Sequence, residues 1–197
     1  MNVANPVLQF TGAVLAGGRS NRMGRDKATI PLPNGFALLD QALHTLKSAG
    51  ARELLVSVRQ VQTYGRPETH EVTDSVENCG PLAGLLAALD AAATDHVVVL
   101  AVDLPAMPPD YLRKLLAASS PKRGAVPQQG DFFEPLAAVY PRIAADSARD
   151  ALSAGRFSLQ TWVGTLATSG IIHPLMVEPS ETGFFANWNR PNDISSS

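Results

Sequence analysis

Apolar residues run almost unbroken from Val7 to Ala16 and stop at Gly17. That pattern predicts a buried strand that delivers the chain into a glycine loop. Leu38, Leu39, Ala42, Leu43 and Leu46 then recur at helical spacing, and Gly50 stands where a terminating glycine belongs. Glu53 to Val58 reads as a second strand and His70 to Thr73 as a short third one. Pro81 occupies a first-turn position ahead of Leu82, Leu85, Leu86 and Leu89, an amphipathic helical series. His96 to Pro105, "HVVVLAVDLP", is a continuous apolar run of the kind buried on both faces in a parallel sheet, and it ends at Asp103. A helix resumes over Pro109 to Ala118. Beyond it, Gly124–Pro127, Pro135–Tyr140 and Ile171–Val177 read as strands, the last despite Pro174. Arg142–Leu152 and Ser158–Leu166 read as helices.

Strands alternating with helices imply a three-layer α/β/α, Rossmann-like fold around a mostly parallel sheet. Ligands of such sheets bind beyond the carboxyl ends of the strands. The glycine loop after Ala16 and the aspartate after the central strand both fall there, which places them in one candidate site.

Composition changes the picture in a few places. The 197 residues are 45% hydrophobic and 17% charged, an ordinary globular balance, with no repeat or linker that divides residues 1–197 into more than one domain. A net charge of −2 argues against a general nucleic-acid binder. The cations Arg19, Arg22, Arg25 and Lys27 are therefore a local cluster, suited to a small anionic ligand. The single cysteine, Cys79, excludes an internal disulfide, and no signal peptide or membrane span is evident, so a cytoplasmic protein is expected. His44, His70, His96 and His173 show no metal-ligand spacing.

The loop "LAGGRSNRMGRDK", Leu15 to Lys27, carries the chemistry. Paired glycines let backbone amides approach phosphate oxygens, and arginine and lysine neutralise their charge. A solvated basic loop is the plainer alternative. Neither the P-loop nor the dinucleotide fingerprint fits, because Gly24 precedes Arg25 and no G-x-G-x-x-G is present. Asp103 is a hard oxygen ligand for Mg²⁺ or, more plainly, a cap for the following turn.

The loop resembles the L-A-G-G-x-S-x-R-M-G-x-D-K signature of the molybdenum cofactor guanylyltransferases, the MobA-like branch of the nucleotidyltransferase superfamily. "DSVENCGPLAGL" (74–85), "AVDLP" (101–105) and "FFANWNRPND" (184–193) resemble further landmarks of that family in the same order. The resemblance implies a nucleotide-diphospho-sugar transferase type of fold, with a nucleotide-binding half at about 7–120 and an acceptor-binding half at about 121–193. It implies nucleotide contacts from Leu15, Ala16, Gly17, Gly18, Lys27, Ser57, Asp74, Gly80, Gly84 and Asp103. Arg22, Lys27 and Asp103 would be catalytic, Asp103 the Mg²⁺ ligand, and Asn187 and Asn189 the acceptor-binding pair. Read plainly, Asp74 is a turn residue, Gly80 and Gly84 are helix-start geometry, and the two asparagines precede a turn at Pro191. Ser57 stands where the family often has a longer asparagine, which leaves base selectivity open.

The reaction so implied is transfer of GMP from GTP to the terminal phosphate of molybdopterin, or of Mo-molybdopterin, with release of pyrophosphate. Partner proteins of cofactor biosynthesis or molybdoenzyme maturation would follow, and neither nucleic acid nor membrane. The alternatives are a cytidylyltransferase for the same cofactor, a nucleotidyltransferase of another phosphorylated acceptor, and a silent nucleotide-binding regulator.

Overall fold

In the computed structural model, residues 8–16, 26–58, 63–73 and 79–188 are described. The uninterrupted apolar runs become the two central strands, β1 (Phe10–Leu15) and β4 (His96–Ala101), every residue of which is buried. They pair in parallel along their whole lengths, Phe10 opposite His96 and Leu15 opposite Ala101. β2 (Glu53–Val58) lies parallel on the other side of β1, and β3 (His70–Thr73) parallel on the outside of β2.

The second half of the sheet departs from all-parallel order. β7 (Ala137–Pro141) runs antiparallel to β4, with Leu100 opposite Ala137. β5 (Gly124–Gln129) is antiparallel to β7 and to the two-residue β6 (Phe132–Phe133), and parallel to β8 (Ile172–Met176). Gln128 pairs with both Phe133 and Met176, so β6 and β7 flank β5 on one side and β8 on the other. Among the described residues this completes an eight-stranded sheet. The carboxyl ends of β1, β2, β3, β4, β5 and β8 therefore open at one end of the molecule. Pro174 is accommodated because β8 has a single strand partner among the described residues, and an edge strand tolerates a missing amide donor.

Helices cover both faces. α1 (Leu38–Ala49) and α3 (Pro109–Ala117) pack on one, with Leu39, Leu46, Leu112 and Leu115 fully buried against Val56, Val98 and Leu100. α2 (Pro81–Ala91), α4 (Ala144–Ser153) and α5 (Leu159–Thr168) cover the other, with Leu82, Leu85 and Trp162 against Leu55, Val97 and Val99. Burial on this scale supplies the stabilisation, because each fully enclosed Leu or Val contributes about 1.5–3 kcal/mol. α1 ends at Gly50, whose amide bonds back to the Leu46 and Lys47 carbonyls, as the periodicity predicts. α5 starts one residue later than expected because Ser158 is its cap and accepts from the Thr161 amide.

Candidate active site

The site is assembled from the chain turns beyond β1 and β4. Asp26, the one acid among the loop's cations, accepts a hydrogen bond from the Ala28 amide at 3.1 Å and so caps a short 3₁₀ turn, Lys27–Thr29. Ala28, wholly buried, roots that turn in the core. Lys27 is thereby presented at the carboxyl end of the sheet. Asp103 arrives from β4 in a similar way. Val102, Leu104 and Met107 are all buried, and Asp103 alone among Ala101–Leu104 stays partly exposed. The two meet: Lys27 Nζ donates to Asp103 Oδ2 at 3.2 Å. Their side chains are 19% and 24% exposed, enough shelter to strengthen the pair and enough access for a ligand.

A third segment closes on this pair from the C-terminal side. Residues Pro179–Phe185 form a 3₁₀ turn that the sequence periodicity does not reveal. Tyr111 of α3 holds it, edge-on to Phe184 and Phe185 at 5.7 and 5.4 Å between ring centres. Lys114, a turn further along α3, donates to Glu181 at 2.6 Å. Burial opposes ionisation of Glu181, but the bond from Lys114 and that from the Glu178 amide outweigh it and hold its carboxyl below the usual range. The chain then reaches Trp188, whose amide donates to the Asp103 carbonyl at 3.0 Å. Asn187, exposed, is thus carried to the Asp103 turn, while Trp188 packs partly against the core.

At the same end of the sheet, Leu15 and Ser57 are register partners at the ends of β1 and β2. The Ala16 amide donates to the Ser57 carbonyl at 3.2 Å, so the Ala16 N–H is already engaged. The Ser57 side chain is buried, its hydroxyl against α2, where a Cβ added at Gly84 would lie 2.5 Å from Oγ. Gly84 is therefore a close-packing position between α2 and β2. Gly80, with φ of 69°, adopts a conformation L side chains rarely reach and starts α2 at Pro81. Gly17, Gly18, Arg22, Asp74 and Asn189 lie outside the described residues.

The sequence pattern passes over two residues at the same end of the sheet, Gln129 at the end of β5 and Glu134 beyond β6. The signal available was a carboxylate directly ahead of Pro135, within the otherwise apolar run 132–139. Among the described residues no group of three His, Cys, Asp or Glu side chains is placed to hold a metal, and no helix is long and apolar enough to cross a membrane.

A cation and a carboxylate at the carboxyl ends of parallel strands, on an α/β/α frame with two reversed strands, suit a nucleotide-handling transferase. In agreement, the chain superposes on the crystal structure of molybdopterin-guanine dinucleotide biosynthesis protein A from Archaeoglobus fulgidus with a TM-score of 0.75, at 25% identity and covering 94% of this chain and 95% of that one. The family model described as MobA-like NTP transferase domain matches residues 12–168, and the chain belongs to that family. A probable molybdenum cofactor guanylyltransferase of Opitutus terrae is 40% identical over 187 residues, spanning 93% of this chain and 92% of the relative. The molybdenum cofactor guanylyltransferase of Xanthomonas euvesicatoria pv. vesicatoria is 37% identical over 190 residues, 94% and 93% of the two chains.

Proposed function

We propose that the protein is a cytoplasmic molybdenum cofactor guanylyltransferase, which transfers GMP from GTP to the terminal phosphate of molybdopterin or its metal-loaded form. The observation that carries this is the meeting of Lys27 and Asp103 at 3.2 Å above the sheet, within a family of NTP transferases. The relatives named as guanylyltransferases, matching more than nine-tenths of the chain, support the choice of substrate.

Two anions must approach one another in this reaction, so positive charge at their junction is the main requirement. Lys27 would bind the phosphates as a point charge, with Arg22 as a forked donor beside it. The Asp103 carboxylate fits Mg²⁺: it is a hard oxygen donor, partly exposed, and magnesium commonly takes one or two carboxylates and completes its shell with phosphate and water. Bound there, the ion would neutralise phosphate charge. Leu15, Ala16, Gly17 and Gly18 would line the base, and Asp74, Gly80 and Gly84 the rest of the nucleotide. The acceptor phosphate attacks the α-phosphorus in line. A new phosphorus–oxygen bond forms as the bond to pyrophosphate breaks. The attacking phosphate is already ionised, so no general base is needed.

The halves of the chain divide this work: residues of about 7–120 hold the nucleotide, and those of about 121–193, Asn187 and Asn189 among them, hold the acceptor. Proteins that deliver molybdopterin or receive the dinucleotide would dock near the latter. The test is product analysis. Incubation with GTP, Mg²⁺ and molybdopterin should yield the guanine dinucleotide by mass spectrometry. Recovery of unchanged GTP and molybdopterin would refute the assignment.

A further inference from the structure

The turn between β6 and β7 holds a carboxylate that the nucleotide side of this reaction does not use. Leu100 pairs with Ala137, and the Ala101 amide donates to the Leu136 carbonyl at 2.7 Å. That bond fastens the Glu134–Leu136 turn beside the end of β4, two residues before Asp103. The turn is tightly held. The Glu134 amide donates to Pro127 at 2.8 Å, and its carbonyl accepts from Ala137 at 3.2 Å. The Gln160 side chain clamps the Phe133 amide and carbonyl at 3.0 and 2.7 Å. The buried Tyr140 hydroxyl donates to the Pro135 carbonyl at 2.7 Å.

What this frame presents is an unfavourable arrangement. Among the described residues, the half-buried Glu134 carboxylate takes one hydrogen bond, from Gln129 at 2.7 Å, and pairs with no cation. Burial raises its carboxyl above the usual range, and the Gln129 bond offsets this only in part. Nearby, the Tyr111 hydroxyl is buried with no hydrogen-bond partner among the described residues, and after burial itself the charges of Glu181 and Glu134 further oppose its ionisation. Desolvated and incompletely paired polar groups are costly, and when many hydrogen bonds fix them in place they mark binding sites.

We infer that Glu134 is an acceptor-recognition residue whose carboxylate takes hydrogen bonds from the amino-pyrimidinone edge of the pterin, an inference that rests on molybdopterin being the acceptor. The chemistry selects that part of the molecule. An ionised carboxylate only accepts hydrogen bonds and repels the anionic phosphate and dithiolene ends of the acceptor. The pterin amino group and the adjacent ring N–H form a parallel donor pair that matches a carboxylate as a guanidinium does. Glu134 would thus set the direction of the acceptor as well as hold it, turning its phosphate towards Lys27 and Asp103.

The test is initial-rate kinetics of the full chain carrying Glu134→Ala or Glu134→Gln, with molybdopterin varied at saturating GTP and then the reverse. Expected is at least a tenfold rise in KM for molybdopterin in both variants, with KM for GTP within twofold of wild type. The Gln variant should also melt no lower than wild type at pH 7, because it removes a charge that burial disfavours; a merely structural carboxylate would lower the melt. An unchanged molybdopterin KM in either folded variant, or an equal rise in both KM values, overturns the role of Glu134 while wild-type transfer stands. A wild-type enzyme that fails to transfer GMP to molybdopterin overturns the underlying function and this inference together.

Discussion

In the proposed mechanism Lys27 and Asp103, in contact at 3.2 Å, carry most of the chemistry, and their substitutions separate two roles. Lys27→Ala should reduce guanylyl transfer more than tenfold without unfolding the protein, since the wholly buried Ala28 keeps the turn rooted. Wild-type turnover in a steady-state assay of that variant would remove Lys27 from the mechanism. Asp103→Ala should abolish activity together with its Mg²⁺ dependence; a variant that stays active and Mg²⁺-responsive would place the metal elsewhere. These two residues were legible in the sequence because Asp103 closely follows a strand, and Lys27 closes a dense motif that begins where another strand ends. Ser57 shows the limit of such reading. Its position aligned it with a base-binding residue, but which way a strand residue points depends on the register and on the helix above it. Here the hydroxyl is packed on Gly84 of α2. Glu134 was legible only as a carboxylate ahead of Pro135, because its setting depends on the fold of its turn and on a partner far along the chain, Gln160.

The contact between α2 and β2 makes a test at the level of elements. Gly84→Ala would gain about 0.8–1 kcal/mol of helix propensity. Against that, its Cβ would meet Ser57 Oγ at 2.5 Å, and overpacking of this kind costs about 1–3 kcal/mol. The substitution should therefore destabilise the wild type. With Ser57→Ala present the nearest Ser57 atom left is Cβ at 3.5 Å, an ordinary contact, and the same substitution should stabilise. Denaturant unfolding of the four proteins should give a coupling of at least about 1 kcal/mol; additive values would mean the helix and strand do not press on one another there. Strong periodicity made the elements of the first half readable, from β1 through α3. The later strands were harder to place. The stretch expected as a strand over Pro135–Tyr140 becomes β7, which starts two residues later at Ala137; the short β6 precedes it unforeseen, and Glu134–Leu136 are bent out of the ladder between the two. The bend reflects long-range anchoring and leaves no local period. The 3₁₀ turn Pro179–Phe185 is likewise defined by what it touches on α3, Tyr111 and Lys114.

For the molecule as a whole, two carboxylates tie loop segments to regular elements, one to α3 and one to β3, and couple its stability to pH. The first is Glu181. The second is Glu71 of β3: burial works against its ionised form, yet bonds from Thr63 and from the Tyr64 and Gly65 amides hold its carboxyl below the usual range. A carboxyl lowered in the folded state adds stability that is complete above the unfolded value, near 4.5, and is lost as pH falls through the folded value. Thermal melts should therefore decline as pH drops below about 4.5. Lys114→Met should weaken that decline, since it removes the bond that lowers Glu181; an unchanged pH slope would show that the Lys114–Glu181 link contributes nothing to holding the C-terminal segment. That segment matters because it brings Asn187 and the Trp188 amide onto the Asp103 turn and so joins the two halves of the chain at one site. Whether this site performs guanylyl transfer is decided most directly by pyrophosphate release, followed with each of the four ribonucleoside triphosphates in turn, with Mg²⁺ and with or without molybdopterin. Release should require GTP and molybdopterin together, in step with dinucleotide formation. Preference for CTP, or equal release when molybdopterin is left out, would contradict it.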